Sequence, residues 1–287
     1  MASGDPQLEK SFEVAFDENV QLAYQGTSVT RGKVYTKTGI NGKSVQFRRR
    51  GETQMSPAVY NSPVTGGNLS MEVVTAMIND YEVAKRQSPF DLYKVNFDDG
   101  MQIAKAMGSA IGRQYDQTII DALQAGATYT IAADYGSTSG NTGLTIDKIN
   151  RIISMLEEHN VPMQDVCGLV TPQAKEGLRN SEKATSSLYV DHKAMNDGKI
   201  EKLAGMELLT VGGRKEGGLP VDGDNVASLY FFDKNAIGVA EGALSGQGDV
   251  RKQWSVEYQG WLYYGGLSIG SIVIEPEGIV EVKIQQV

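Results

Sequence analysis

Residues 98–125, DDGMQIAKAMGSAIGRQYDQTIIDALQA, are the stretch from which the architecture follows. A continuous helix over that span is about 42 Å long at a rise of about 1.5 Å per residue. Turned at about 100° per residue, it places Met101, Ala104, Gly108, Ile111, Tyr115, Ile119 and Ala122 on one side. Lys105, Ser109, Arg113, Asp116, Gln117 and Gln124 fall away from that side. Gly108 and Gly112 stand one turn apart near the apolar row, and each weakens a helix by about 1 kcal/mol relative to alanine. Their presence predicts that another backbone crosses closely there. A rod this long laid across a sheet suits a flat subunit.

At 287 residues the chain buries a real core and has room for two sub-domains or one elaborate domain. A formal charge of -8 argues against a chain whose main task is gripping nucleic acid. The single cysteine, Cys167, excludes an internal disulfide and any multi-cysteine metal site. No run of about 18 apolar residues occurs, and the start MASGDPQLEK has no leader pattern, so a soluble protein with no membrane partner is expected. Thirty-three glycines against eight prolines fit long hairpins and extended loops.

Working outward, Leu8, Phe12, Phe16 and Val20 lie four apart, a helix with an aromatic seam that needs a surface to pack on. Residues 27–38 are β-rich and Asn41-Gly42 is a turn signal. Residues 44–51 (SVQFRRRG) and 71–83 (MEVVTAMINDYEV) read as two strands joined through a Gly/Pro/Asn-rich tip. A ribbon of that length is marginal alone and must lean on its own body or on another subunit. Arg48, Arg49 and Arg50 are either a solvated edge that blocks strand pairing or a row of donors toward a neighbour's acidic patch.

Ser88-Pro89 opens a short helix before the long one, and residues 136–143 form a polar loop. Thr145 caps a helix, stapled by Leu144 and Ile149, whose apolar face is Ile146, Ile149, Ile153 and Leu156. Residues 166–171 are a short buried strand, and Thr171-Pro172 begins another helix, giving α/β alternation. A strand pair at residues 200–211, a long loop at 212–225 and strands at 226–232, 236–240 and 272–284 complete the chain.

A search for chemistry finds little. Gly266-Leu267-Ser268-Ile269-Gly270 has the spacing of a nucleophile elbow, but no histidine follows His192, so the glycines read better as bends in a strand. His159 and His192 lack ligand spacing. Cys167 reads as a small buried hydrophobe. Asp222 and Asp224 lack the glutamate that closes a calcium loop, and Asn68 begins a formal glycosylation sequon. No catalytic residue, cofactor or metal is expected.

The order of parts resembles the major capsid proteins of tailed phages, the Hong Kong 97-like fold. The most specific stretch is residues 16–51, in which AYQGTSV precedes TGINGKSVQFRRRG. It is similar to the arm-to-hairpin segment of capsid proteins from short-tailed, podovirus-type phages. IEKLAGMELLTV (200–211) and GGLSIGSIVIEPEGIVEV (265–282) add to the likeness.

The resemblance implies an α+β chain with an N-terminal arm (1–43) and an extended hairpin loop (44–82). A peripheral domain with the spine helix (83–127), an axial domain (128–245) and returning strands (246–287) follow. It implies a virion protein that forms pentamers and hexamers of an icosahedral head, assembled in host cytoplasm with scaffolding and portal proteins. The head encloses double-stranded DNA without sequence-specific binding, and the precursor shell matures by expansion. Phe12, Phe16, Arg48, Arg49 and Arg50 are then expected at intersubunit contacts, Gly108 and Gly112 at close packing or bending of the spine helix, and the loop at 212–225 along the capsomer axis. An encapsulin-type nanocompartment shell is the alternative within the fold, and a hydrolase built on Ser268 the alternative outside it.

Overall fold

The computed structural model describes residues 26–55, 57, 60, 69–92, 99–138, 140–179, 202–243 and 250–286. Phe12, Phe16, His192 and the sequon at Asn68 lie outside them. In chain order the front half comprises β1 (Tyr35–Ile40), β2 (Ser44–Arg50), β3 (Met71–Met77), β4 (Asn79–Gln87), α1 (Pro89–Leu92), α2 (Asp99–Gly126) and β5 (Tyr129–Ile131). Then come α3 (Ile146–Glu158), β6 (Val166–Val170), α4 (Pro172–Arg179), β7 (Lys202–Leu203), β8 (Met206–Thr210), β9 (Val226–Asp233), β10 (Ile237–Gly242), β11 (Arg251–Ser255), β12 (Gly260–Val273) and β13 (Ile279–Gln285).

Continuous apolar runs are the mark of strands covered on both faces. β6 and β9 are such runs, and they pair at the centre of a six-stranded sheet ordered β5-β13-β9-β6-β8-β7. Successive strand residues face opposite ways. Leu229 and Phe231 therefore join Ile149, Ile152 and Leu156 of α3 and Ala174 and Leu178 of α4 in one core. Tyr230 and Phe232 join Ile119 and Leu123 of α2 in the other. Each such side chain contributes about 1.5–3 kcal/mol by burial. As the sequence predicts, Thr145 caps α3 by accepting from the Lys148 N–H, and Leu144 and Ile149 are both buried. The burial stripe of α3 runs through Ile149, Ile152 and Leu156, with Ile146 and Ile153 at its margin.

The second sheet is built on the 14-residue β12. β4 runs along one edge of it over Asn79–Gln87, while β11 and β10 share the other edge in tandem, and β1 adds in parallel outside β10. Tyr35–Ile40 and Ile237–Gly242 thus belong to the same sheet although about two hundred residues separate them. α2 lies across both sheets, since its Ile111, Tyr115, Ile119 and Leu123 pack with Val239, Leu267 and Ile269 of one and with Leu169 and Phe232 of the other.

The long helix spans Asp99–Gly126, but its buried face differs from the expected row. Met107, Ile111, Tyr115, Asp116, Ile119, Ile120 and Leu123 are buried, whereas Met101 is 56% exposed. Covering by two sheets and by residues 28–30 widens the buried stripe toward the side that a wheel assigns to solvent. The backbone crossing occurs at Gly112, where a Cβ would lie 2.8 Å from the Ser28 nitrogen. At Gly108 nothing among the described residues lies within 4 Å of that position.

The two expected strands pair as a hairpin, with Ser44 opposite Met77 and Arg50 opposite Met71. Its return strand is shorter than the expected 71–83. The pairing ends at Met77, Ile78 donates to the Lys43 carbonyl, and β4 leaves to join β12. A Cβ at Gly270 would overlap the Met77 carbonyl, so the absence of a side chain there is what lets the ribbon turn into the sheet. The Asn41-Gly42 bend likewise connects strands that do not pair with each other, since β1 pairs with β10 and β2 with β3.

Candidate functional site

Two places in the described residues gather long-range polar and apolar contacts, and the first is residues 28–30 against α2. Asp116 is completely buried, and residues 28–30 wrap its carboxylate. Ser28 Oγ donates to it at 2.7 Å, Thr30 Oγ1 at 2.6 Å, the Val29 N–H at 3.1 and 3.2 Å, and the Thr30 N–H at 3.2 Å.

Arg214, from the loop after β8, completes the knot at 3.0 Å and donates its other terminal nitrogen to the Thr27 carbonyl at 3.1 Å. A buried carboxylate is tolerable only when its lone pairs are filled in this way. The close passage of Ser28 over Gly112, one turn earlier, brings the segment near enough to do it. The Arg31 guanidinium lies 5.0 Å from the Tyr115 ring centre, and Lys33 pairs with Glu207 at 2.6 Å. The Glu207 hydrogen bond holds the Lys33 ammonium above the usual lysine range.

The same knot fixes part of the loop at 212–225. Arg113 reaches Glu216 at 3.4 Å, and the Gly217 N–H donates to Gln117 at 2.8 Å, so the first half of that loop is held against α2. Asp116 and Arg214 were not legible as site residues. The available signal was Gly112: a glycine that admits a crossing backbone, followed one turn later by a carboxylate able to cap it.

The second place is the hairpin. Its inner face carries Val45, Phe47, Val74 and Ala76, which pack with Ile78, Ala240, Ile272 and Ile274. Arg49 belongs to this inner side and pairs with Glu275 at 3.2 Å and Glu277 at 3.8 Å of its own chain. Arg49 thus has carboxylate partners within its own chain. Burial raises the Glu275 carboxyl above the usual range, an effect that Arg49 opposes. The outer face carries Gln46, Arg48, Arg50, Val73 and Met77, with Arg48 opposite Val73 and Arg50 opposite Met71. Arg48, Arg50, Met71, Val73 and Met77 are all exposed.

The remaining candidates do not converge. Ser268 sits inside β12 and donates to Asp80 at 2.5 Å, not on the strand-to-helix turn a nucleophile elbow requires. His159 ends α3 with its ring 4.8 Å from that of Tyr129. Burial pushes the Cys167 thiol up to about 11, which keeps it protonated and unreactive.

Lys148, unremarked in the sequence, is buried with its ammonium near the carbonyls of Ala133 (2.8 Å), Thr142 (2.9 Å), Gly143 (3.1 Å) and Lys283 (3.2 Å). It ties the loop after β5 to β13, and burial pushes it down to about 8. Among the described residues no group of His, Cys, Asp and Glu could hold a metal ion, and no helix is long and apolar enough to cross a membrane.

With this geometry in hand, the comparisons bear on the whole chain. No curated protein sequence matches it. Among solved structures it is similar to the capsid structure of Cyanophage P-SCSP1u, with a TM-score of 0.74 and 17% identity over 98% of this chain and 95% of that one. It is similar to a structure from Mycobacterium phage Che8, with a TM-score of 0.72 and 16% identity over 98% of each chain. The capsid of Ralstonia phage GP4 aligns with a TM-score of 0.71 and 12% identity over 100% of this chain and 98% of that one. These likenesses establish the Hong Kong 97-like architecture. The family model described as phage capsid protein matches residues 8–286, and the chain accordingly belongs to the phage capsid protein family, as a major capsid protein of the phage head.

Proposed function

We propose that the chain works as a mechanical tile whose cohesion comes from its two appendages. The observation that carries this reading is the two-sided ribbon. One face of β2 and β3 is satisfied by its own body, while the other leaves Met71, Val73 and Met77 exposed on the same side as Arg48 and Arg50. Such a strip is what an intersubunit contact requires. On this reading Arg48 and Arg50 meet a neighbouring subunit, as do Phe12 and Phe16 of the arm.

Copies group as pentamers and hexamers in the multimeric shell of a virion, built in host cytoplasm around a scaffolding protein with a portal at one vertex. The head encloses double-stranded DNA without reading its sequence, and the acidic balance of -8 keeps the wall from gripping it. Catalysis has no part in this role, and the parent phage is short-tailed. The arm covers 1–43, the hairpin loop 44–82, the peripheral domain 83–127, the axial domain 128–245 and the returning strands 246–287. Maturation swings the hairpin about its exit at Ile78 and bends α2 at Gly108 and Gly112. A cargo compartment of the encapsulin type is disfavoured by the family match.

Electron microscopy of the purified protein, with and without residues 51–70, tests the reading. Closed shells from the full chain and unassembled folded subunits from the shortened one are expected. Shells of normal yield from the shortened chain would remove the hairpin from the mechanism.

A further inference from the structure

The charges at the front of the chain fall into two blocks. Residues 1–25 hold Asp5, Glu9, Glu13, Asp17 and Glu18 against a single lysine, Lys10. Residues 26–51 hold Arg31, Lys33, Lys37, Lys43 and Arg48–Arg50, with no acidic residue. Blocks of one sign mark interaction segments. Part of the basic block is used internally: Lys33 pairs with Glu207, Arg49 with Glu275 and Glu277, and Arg31 stacks on Tyr115. Lys37 and Arg48 have no carboxylate among the ion pairs of the described residues.

Both line a cleft of about 430 Å³ at the hairpin root, together with Tyr35, Gln46, Phe47 and Ile274. Its walls come from β1 and β2, with the Phe47 ring packed over the face of β10 at Gly238. Across it the Lys37 ammonium reaches the Gln46 carbonyl at 3.2 Å and lies 4.6 Å from the Phe47 ring centre. Tyr35, 42% exposed, stacks edge-on against Phe47 at 6.0 Å. The cleft is a slot of mixed polarity, with Tyr35, Phe47 and Ile274 beside Lys37, Gln46 and Arg48. It fits a segment that offers aromatic side chains flanked by carboxylates. The chain contains one: Phe12-Glu13-Val14-Ala15-Phe16-Asp17-Glu18.

We propose that this cleft receives residues 12–18 of a second copy's arm, with a phenylalanine in the Tyr35–Ile274 slot and carboxylates against Lys37 and Arg48. The proposal rests on the reading of the chain as a head subunit and names the receptor for its arm. It explains why the two blocks are adjacent in sequence: each copy carries both a key and a lock, and a ring or shell of copies satisfies every one of them. Opposite potentials also steer the encounter and set which surface the arm selects.

The test uses charge reversal and a crosslink in the full chain. Lys37→Glu with Arg48→Glu, and separately Asp17→Lys with Glu18→Lys, should each lower the yield of particles at least about tenfold, because like charges then face each other. All four reversals in one chain should restore it to within about threefold. Circular dichroism of each unassembled variant checks that it folds.

Tyr35→Cys and Phe16→Cys, carried on separate co-expressed chains, should give disulfide-linked dimers in particles, since Cys167 is buried and does not compete. Failure of the fourfold reversal to rescue overturns the proposal. So does a crosslink that forms only when both cysteines are on one chain, which would seat the arm on its own body. Reversals that leave particle yield intact but reduce retained DNA would assign Lys37 and Arg48 to the genome and overturn it likewise. A native chain that forms no particles at all would sink the head-subunit reading instead.

Discussion

Asp116→Ala is the sharpest perturbation that the structure allows, because one carboxylate holds three separate segments. Its removal strips the partner from Arg214, whose side chain is only 13% exposed, and breaking a buried pair in this way costs about 3–5 kcal/mol. It also strips the acceptor from the N–H and hydroxyl of the fully buried Thr30, at about 1–3 kcal/mol for each donor left dry. The chain need not bear the whole sum. Residues 26–34 can peel away from α2 and return those donors to water, so the loss is capped by what docking that segment is worth.

A destabilisation of about 3 kcal/mol follows, or roughly 6–10 °C in Tm for a chain of this size. Peeling also has a local signature. Arg31 and Lys33 lie in the released segment, so trypsin should cut there at a rate well above that of the native chain. Asp116→Asn keeps the shape but offers one acceptor where two stood, and should fall between the two. Denaturant unfolding gives the first number and timed trypsin digestion the second. Were Asp116→Ala to match the native chain in both, the knot could not be what fixes the arm root.

The two helix glycines should behave oppositely. Gly108→Ala meets nothing within 4 Å and should stabilise the unassembled subunit by up to about 1 kcal/mol, whereas Gly112→Ala pushes on the Ser28 backbone and should destabilise it, both read by denaturant midpoint. If Gly108→Leu then leaves the subunit folded but abolishes shells, the contact at Gly108 belongs to a neighbour. Phe47→Ala removes the centre of the small core under the hairpin and should cost about 3 kcal/mol, seen as faster amide exchange in β2 and β3 than in β9.

Lys148 predicts a pH dependence. Its folded pKa of about 8 lies below the usual 10.5, so the folded state loses its proton first and stability rises as pH climbs from about 8 toward 10.5. Below about 8 the term is flat. Lys148→Met should erase that rise in a comparison of unfolding at pH 7.5 and 9.5; the raised Cys167 thiol acts in the opposite direction above its ordinary 9.0, but equally in both chains.

How far the sequence could be read depended on the range of the physics involved. Local signals transferred almost intact: the Thr145 cap with its Leu144–Ile149 staple, the Ser88-Pro89 start, and the outgoing hairpin strand from Ser44 to Arg50. Periodicity found the long helix to within a residue at each end. It misjudged the face, because a wheel sorts side chains by polarity and Asp116 is buried by what lies on it, not by what it is. The return strand was overextended for a related reason. Residues 71–83 are uniformly strand-like, and the break at Ile78 is imposed by Gly270, almost two hundred residues away. Arg49 and Lys148 fall in the same class, since their partners come from the turn after β12 and from the end of β13.

These long-range contacts share a logic that bears on how the tile moves. The arm root, the spine helix and the first half of the loop at 212–225 are joined through one carboxylate, so none of them can shift without disturbing the others. The hairpin, by contrast, is held by a small core of Phe47, Ala76 and Ala240 and by a half-exposed ion pair at Arg49, a linkage worth little in water. The fastening of the hairpin is therefore the weaker of the two, and the knot at Asp116 the stronger.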